Sequence, residues 1–243
     1  MFNIPILFLT YNRPQHTKKS LKSILKIKPK KIYISNDGPK NNDLDKKKVK
    51  KVRECLNNIS KKIKFRKKIN NFNIGCKKAN STAIDWFFSH EREGIILEDD
   101  CIASQNFFFF CQMMLKKYKN NKNIFCASGS NFQNKKITNH SYYFSKYNHC
   151  WGWATWRNKW KKNDVKIKFW PKLSKTYDWN NFHKTKTEKK YWDIIFNKVY
   201  NNRIDSWAYP WMLSVWKNKG ITIIPQINLV DNIGQGIDGT HSY

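Results

Sequence analysis

The sequence predicts an α/β fold with a mixed, mostly parallel sheet and helices on both faces. Short apolar runs, such as residues 4–9 and 95–97, end in polar loops, as buried parallel strands do. These runs alternate with segments whose apolar residues recur at helical spacing, which is the pattern of a doubly wound sheet. A chain of 243 residues can bury one large core, so we expect a single domain over 1–243.

The first elements predict a strand, a helix and a second strand. Residues 4–9 form the first strand. Pro14 suits the first turn of a helix, and the apolar residues of 17–27 recur at helical spacing. Residues 31–35 form the second strand, and residues 36–39 have the composition of a turn. Together they make a βαβ unit.

The following segments continue this alternation. Residues 41–51 are rich in lysine, and we interpret them as the exposed entry to an amphipathic helix over 49–59. The same patterns predict a third strand at 63–65, a helix at 83–88, a strand at 95–97, a helix at 107–118 and a strand at 124–128. Parallel strands need such crossover helices, so the order favours a parallel arrangement in this half.

Tryptophan dominates the second half of the chain. Eight of the eleven tryptophans fall between positions 151 and 207, and most of them are predicted to be core. Trp151 and Trp153 flank Gly152 among residues that we interpret as a loop. An indole has an apolar face and a polar edge, so these two rings are predicted to stack on a sugar or a base.

Asp205 and Ser206 precede a predicted helix at 208–217, which is followed by a last strand at 221–225. Two interpretations of this acid stay open. Asp205 is either the N-cap of the following helix or a functional carboxylate. Residues 232–241 form a glycine-containing tail that ends in Gly239, Thr240 and His241.

Three adjacent carboxylates, Glu98, Asp99 and Asp100, follow the strand at 95–97. Bringing such acids together at a buried strand end is costly unless a cation meets them. Mg²⁺ and Mn²⁺ take oxygen ligands and hold phosphates against carboxylates. In an open α/β sheet, ligands bind at the carboxyl ends of the strands. The triplet therefore predicts a divalent metal site, with a polar strand-to-loop cap as the alternative.

The net charge of +30 comes from 47 basic residues against 17 acidic ones. Such a field attracts anionic lipid, nucleic acid or a phosphorylated substrate, although AT-rich coding also produces lysine-rich chains. Six widely spaced cysteines without a CxxC pair indicate reduced thiols in a cytosolic protein. We find neither a signal peptide nor a stretch of roughly 20 apolar residues that could span a membrane. A cytoplasmic location, in contact with the inner membrane face, follows as the expectation.

The order of these motifs resembles a GT-A glycosyltransferase over nearly the whole chain. The motifs are Thr10-Tyr11-Asn12-Arg13, Ser35-Asn36-Asp37-Gly38, Glu98-Asp99-Asp100, Gly152-Trp153 and Asp205-Ser206-Trp207. The sequence is similar to alpha-1,3-mannosyl-glycoprotein beta-1,2-N-acetylglucosaminyltransferases and to bacterial family 2 or hemolytic protein HlpA-like glycosyltransferases. The most specific stretch is 95–109. The resemblance implies a GT-A, Rossmann-like sheet with a nucleotide-binding half at 1–130 and an acceptor-binding half at 131–243.

The resemblance also implies a role for each site residue. The nucleotide-sugar, a UDP-sugar in the family, is expected to meet Thr10, Asn12, Arg13, Asp37, Glu98, Asp99 and Thr240. Metal ligands are expected to be Asp100 and His241, with Mn²⁺ or Mg²⁺ as the ion. The sugar and acceptor are expected beside Trp151, Gly152, Trp153 and Trp207. Asp205 is expected to be the catalytic base of an inverting transfer.

The expected acceptor is a cell-surface glycan or a lipid-linked saccharide, as in bacterial lipopolysaccharide or capsule biosynthesis. A membrane anchor and stem found in the eukaryotic relatives are not seen here, so their acceptor and compartment are not carried over. Two alternatives remain. A basic nucleic-acid-binding module explains the charge and leaves the acidic triplet unexplained. A catalytically inactive scaffold would keep the fold and tolerate loss of Asp100 or Asp205.

Overall fold

The computed structural model describes residues 1–57 and 63–234. Its strands are β1 (Ile6–Thr10), β2 (Lys31–Asn36), β3 (Lys64–Ile69), β4 (Glu93–Glu98), β5 (Cys101–Ala103), β6 (Ile124–Ser128), β7 (Tyr142–Ser145), β8 (Trp153–Trp156), β9 (Ile221–Pro225) and β10 (Val230–Asn232). Its helices are α1 (Pro14–Lys26), α2 (Asp43–Asn57), α3 (Cys76–His90), α4 (Gln105–Tyr118), α5 (Arg157–Trp160), α6 (Trp170–Leu173), α7 (Tyr177–Phe182), α8 (Lys186–Tyr200) and α9 (Ala208–Lys217).

Within the described residues, eight strands form one sheet in the order β3-β2-β1-β4-β8-β6-β9-β7, and β5 pairs separately with β10. Strands β3, β2, β1, β4, β6 and β9 share one direction, while β8 and β7 run antiparallel to their neighbours. The chain moves outward from β1 to β2 and β3, then returns to place β4 on the other side of β1. The predicted fold class, a Rossmann-like mixed and mostly parallel sheet, is confirmed by this arrangement.

Both faces of the sheet are covered by apolar side chains from helices. Successive side chains of a strand point to opposite faces, so Leu7 and Phe8 of β1 belong to different core clusters. Phe8 lies in the cluster that contains Phe107 of α4, together with residues of α1 and α2. Leu7 lies in the cluster that contains Phe87 of α3 and Trp211 of α9. Helices on both faces are therefore also confirmed.

Two predicted segments differ from the structure. Helix α2 (Asp43–Asn57) joins most of the lysine-rich segment 41–51 to the predicted helix at 49–59. Residues 58–62 lie outside the described part. The loop predicted around Trp153 is wrong, because Trp153–Trp156 form β8, a buried strand between β4 and β6. Four residues after a glycine give too weak a local signal, and pairing with two buried strands decides the conformation.

The lysines are mostly on the surface, and some protect the sheet. Strand β3 is an edge strand with exposed Lys64, Arg66 and Lys67 and half-buried Lys68. Charges on an edge strand discourage pairing with other chains, so this cluster has a structural explanation. All six cysteines lie in the described part and are free thiols. None of the helices described is long and apolar enough to cross a membrane.

Candidate functional site

The predicted site residues of the first half converge at one edge of the sheet. Strands β2, β1 and β4 are parallel neighbours, with Thr10 opposite Asn36 and Leu9 opposite Glu98. Their carboxyl ends therefore lie side by side, and the loops that leave them meet. The strand order reverses between β1 and β4, which is where open α/β sheets form a ligand crevice.

Each acid of the triplet accepts a hydrogen bond from a different residue. Trp207 Nε1 donates to Glu98 Oε1 at 3.1 Å. The backbone N–H of Tyr11 donates to Asp99 Oδ2 at 3.0 Å. Arg13 forms an ion pair with Asp100 through a 2.8 Å contact to Oδ2. The loop after β1 thus contacts the last two acids, and the second half of the chain contacts the first.

The positive charge of Arg13 does not compensate the crowded carboxylates of the triplet. Burial, and after it the carboxylates of Asp100 and Asp99, raises the pKa of Glu98 to about 8. Burial and the Asp100 carboxylate raise the pKa of Asp99 to about 7. Both acids thus titrate close to physiological pH. A cation entering the site would favour their ionised forms and release protons.

The segment after β10 closes against the triplet. The backbone N–H of Ile233 donates to the carbonyl oxygen of Asp100 at 2.9 Å, and His16 Nε2 lies 2.9 Å from the carbonyl oxygen of Ile233. A Cβ on Gly234 would lie only 2.2 Å from Asp100 Oδ2, so this close approach requires glycine. The predicted residues Thr240 and His241 lie outside the described residues.

An acid that the sequence analysis did not single out holds the loop after β1. Asp45, which is buried, accepts hydrogen bonds from Tyr11 Oη, Asn12 Nδ2 and the backbone N–H of Lys40. Burial acts to raise the pKa of Asp45, but these hydrogen bonds outweigh it and lower the pKa. The sequence signal was slight, an acid within a lysine-rich run. Asp45 positions Asn12, while Thr10 donates to the carbonyl oxygen of Ser35 at 2.9 Å.

Asp37 lies at the same edge and is the centre of a hydrogen-bond network. Its carboxylate accepts from the backbone N–H groups of Gly38 and Ile74 and from the side-chain amides of Asn70 and Asn73, at 2.9 to 3.3 Å. The side chain is buried. Asp37 therefore fixes the loops after β2 and β3 against each other, and any contact with a nucleotide would come in addition to this role.

Asp205 caps a helix, but not the helix that follows it. Its Oδ2 accepts from the backbone N–H of Cys76 at 2.8 Å and its Oδ1 from that of Lys77 at 3.0 Å, so it satisfies the first turn of α3. Ser206 Oγ accepts from the backbone N–H of Ala208 and caps α9 instead. Trp207, two residues after Asp205, donates to Glu98, so Asp205 lies on the segment that reaches the triplet.

The aromatic residues of the second half are mainly core. Trp153 is 1% exposed and stacks on Trp207 with ring centres 5.5 Å apart. An open stacking platform at Trp153 is therefore not found, because β8 is a central strand. Trp151 is half-buried against Phe132. Gly152 has a φ of +69° and lies against Val230, so it allows close packing rather than an open surface.

The acids at the crevice could provide only part of the ligand shell of a divalent metal. Within residues 1–57 and 63–234, no three His, Cys, Asp or Glu side chains converge as a ready ligand set. Mg²⁺ and its relatives, however, often take one or two protein carboxylates and complete their shell with water and substrate phosphates. Crowded acids with raised pKa values suit such an ion. Asp100 is the best-placed ligand, because its side chain is 14% exposed at the crevice.

Comparison with known proteins adds little beyond the geometry. No family model matches the chain, and no curated sequence is similar to it. The mannosyltransferase PcManGT from Pyrobaculum calidifontis, in complex with GDP-Man and Mn²⁺, matches 51% of this chain and 34% of its own at 12% identity and a TM-score of 0.36. HddC from Yersinia pseudotuberculosis matches 52% of this chain and 58% of its own at 9% identity and a TM-score of 0.36.

A third structure, 4-diphosphocytidyl-2C-methyl-D-erythritol synthase from Anaerococcus prevotii, matches 79% of this chain and 84% of its own at 9% identity and a TM-score of 0.39. This chain therefore spans about a third and somewhat under two thirds of the first two structures. Scores below 0.5 are too low to argue from. The fold and the site rest on the strand order and contacts of this chain.

Proposed function

We propose that this protein is a nucleotide-sugar-dependent glycosyltransferase of the GT-A type. The supporting observation is the meeting of Arg13 with the acidic triplet at the point where the strand order reverses between β1 and β4. A cationic side chain beside crowded carboxylates in that crevice suits a diphosphate and a divalent cation together. An anion alone would be repelled by the acids, and a cation alone would not need the arginine.

The roles of the first-half residues follow from their positions. Arg13 pairs with Asp100 at the edge of the crevice, where its positive charge would attract the diphosphate. Asn12 and Asp37 border the nucleoside. Asn12 is held by its hydrogen bond to Asp45, and Asp37 by hydrogen bonds from the loop after β3. Thr10 supports this loop from within the sheet. A divalent cation, when bound at Asp100, would stabilise negative charge on the leaving diphosphate. Glu98 and Asp99 face the donor's ribose and sugar.

The second half is proposed to bind the acceptor. Trp151, Gly152, Trp153 and Trp207 line or support the sugar pocket, and Asp205 removes the proton of the acceptor hydroxyl. Each carboxylate oxygen has a second lone pair, so the two helix-capping bonds of Asp205 leave room for that proton. Attack from the acceptor side inverts the anomeric centre. The acceptor is a glycan or lipid-linked saccharide, reached from the cytoplasm at an anionic membrane surface that attracts the +30 chain.

The test is metal-dependent nucleotide binding by wild type and Asp100→Ala. UDP with Mn²⁺ should raise the melting temperature of the wild type, and EDTA should abolish the rise. GDP and dTDP tested in parallel identify the preferred base. Asp100→Ala should stay folded and bind the nucleotide at least about tenfold more weakly, because it removes the proposed metal ligand.

A matched control is Asp231→Ala, which removes an exposed acid from β10, the strand that leads to the same site. It changes the net charge equally and should leave nucleotide affinity unchanged. Equal affinity of wild type and Asp100→Ala would refute the metal assignment. Stabilisation by oligonucleotides alone, with steep salt dependence, would favour the nucleic-acid-binding alternative.

A further inference from the structure

A cavity lies at the end of the sheet where β4 begins, opposite the end that holds the acidic triplet. Strand β4 ends at Glu98 in the acidic triplet and begins at Glu93, about 16 Å away at 3.3 Å per residue. Glu93 pairs with Trp156 of β8, and both residues line a cavity of about 310 Å³. The segment after α4 and the start of α5 complete its walls. This cavity is therefore separate from the crevice between β1 and β4.

We call this cavity the basic pocket, because cations dominate its lining. The cations are Arg92, Lys119, Arg157 and Lys161, and Glu93 is an acid in the same lining. The carboxylate of Glu93 and the carbonyl end of α4 offset part of this charge, but the lining keeps a formal charge of +3. These side chains come from three separate segments. Their convergence around one concave space is therefore a product of the fold rather than of a lysine run.

The wall of the basic pocket is fixed before any ligand arrives. Arg157 Nε donates to the carbonyl oxygen of Glu91 at 2.9 Å, and its backbone N–H donates to that of Arg92 at 2.8 Å. Lys159, which is buried, donates to the carbonyl oxygens of Asn121 and Lys122 and holds the chain that follows α4. The cations are thus presented by a preorganised backbone.

One donor in this wall lacks a partner. Trp156 is 4% exposed, and its indole Nε1–H has no hydrogen-bond partner among the described residues. A buried polar group without a partner is uncommon and costs free energy. Trp156 lines the basic pocket, while this nitrogen is buried. The indole also gives the site a reporter of its own.

We propose that the basic pocket binds a phosphate group, independently of the proposed transfer reaction. Convergent arginines and lysines recognise phosphate oxygens by charge-assisted hydrogen bonds, and arginine adds directional donors. A free phosphoester and the headgroup of an anionic lipid share this chemistry. If a lipid headgroup occupied the pocket, the amino-terminal end of β4 would lie against a membrane. The acidic triplet would lie at the opposite end of this strand.

The experiment uses inorganic pyrophosphate as the probe, in EDTA so that no metal recruits it to the acidic triplet. Affinity is measured by calorimetry for wild type, for Lys119→Ala/Lys161→Ala in the basic pocket, and for Lys22→Ala/Lys26→Ala on α1. All four lysines are exposed, so both pairs should fold and both lower the net charge equally. The pocket pair should weaken binding at least about tenfold and the α1 pair less than about twofold.

A second readout locates the ligand. Pyrophosphate should shift the indole N–H resonance of Trp156, identified by its absence in Trp156→Phe. Equal weakening by both lysine pairs, or binding that leaves this resonance unmoved, would overturn the proposal. Vesicles with anionic lipid distinguish the source of the phosphate. Selective loss of vesicle binding in the pocket pair supports a lipid headgroup, and unchanged vesicle binding with lost pyrophosphate binding supports a free phosphoester.

Discussion

Two glutamates, one in each half of the molecule, have opposite pKa shifts. Burial and the neighbouring carboxylates raise the pKa of Glu98 to about 8. Burial also acts to raise the pKa of Glu188, but hydrogen bonds from Lys146, Tyr147 and the backbone of Lys184 outweigh it and lower the pKa to about 2. Lys146 Nζ lies 2.6 Å from Glu188 Oε1. Glu188 is paired with the cation Lys146. Glu98 instead lies near the carboxylates of Asp99 and Asp100 and accepts a hydrogen bond from the indole N–H of Trp207.

This difference separates acids whose charge the fold compensates from acids whose charge it does not. Glu188 ties α8 to the segment before β8, and its charge is compensated within the fold. Asp37 and Asp45 belong to the same class, since their oxygens accept several hydrogen bonds from the chain. The triplet is different because burial and the repulsion among its carboxylates outweigh the hydrogen bonds to Glu98 and Asp99 and raise their pKa values. Asp205 lies between the classes, with both oxygens bonded but its side chain exposed.

The largest expected effect tests where Asp205 belongs. If it is the base, Asp205→Asn should lower turnover by about 10²- to 10⁴-fold and leave UDP affinity within about threefold. An asparagine has one acceptor oxygen and no charge, so it also weakens the cap of α3 by about 1 kcal/mol. The measurements are a transfer assay with a cell-envelope extract and calorimetry with UDP and Mn²⁺.

Ser206→Ala is the matched control, because it removes the neighbouring cap of α9 and keeps the carboxylate. It should lose a similar amount of stability and retain turnover. Near-normal turnover in Asp205→Asn would make Asp205 a structural acid like Glu188. Equal losses of turnover in both variants would point to the helix caps rather than to proton removal.

The next effect concerns Glu188. Glu188→Ala should lower the free energy of unfolding by about 3 kcal/mol, because Lys146 stays among Phe182 and Trp216 without its carboxylate. Glu188→Gln keeps acceptor capacity and should cost about 1 kcal/mol. Urea unfolding at neutral pH measures both. A loss below about 0.5 kcal/mol in the alanine variant would show that the pair is not structural.

Much of the fold was predictable because local signals and tertiary structure agree. Strands β6 and β9 and helix α9 have the predicted bounds, and the parallel order of β2, β1 and β4 brings the predicted loops together. The site was harder to predict. Asp45 and Asp205 act through partners far away in sequence, 33 to 34 residues for Asp45 and 128 to 129 for Asp205. No periodicity or capping rule reports such contacts.

The third prediction uses the opposite pKa shifts directly. A raised pKa means that folded Glu98 and Asp99 bind more protons than the unfolded chain does. The free energy of unfolding should therefore fall as pH rises from the unfolded pKa values, near 4, through about 7 and 8. Glu188, with its lowered pKa, makes stability fall as pH drops from about 4.5 toward 2. These acids favour mild acid. Two histidines act in the opposite sense below pH 6.5: burial lowers the pKa of His149 to about 4 and also lowers that of His183.

Urea unfolding in EDTA at about pH 5 and pH 8 should show a difference of about 2 kcal/mol in favour of the acid condition. Asp100→Asn should reduce this difference, since the Asp100 carboxylate contributes to both raised pKa values. Glu188→Gln should leave the alkaline side unchanged and flatten the acid side. A difference between pH 5 and pH 8 that is equal in wild type and Asp100→Asn would contradict the assignment of the triplet as undercompensated, because the histidines are the same in both proteins.

The smallest effect isolates the hydrogen bond that Trp207 donates to Glu98. Trp207→Phe keeps an aromatic ring against Trp153 and removes the N–H that stabilises ionised Glu98. The pKa of Glu98 should rise further, and metal-dependent UDP binding near pH 7 should weaken by about fivefold, equivalent to about 1 kcal/mol. Trp211→Phe is the control, because its buried Nε1–H has no partner among the described residues. The weakening should disappear above about pH 9, where Glu98 is ionised in both proteins. A loss that persists there would mean that Trp207 acts through packing rather than through the charge of Glu98.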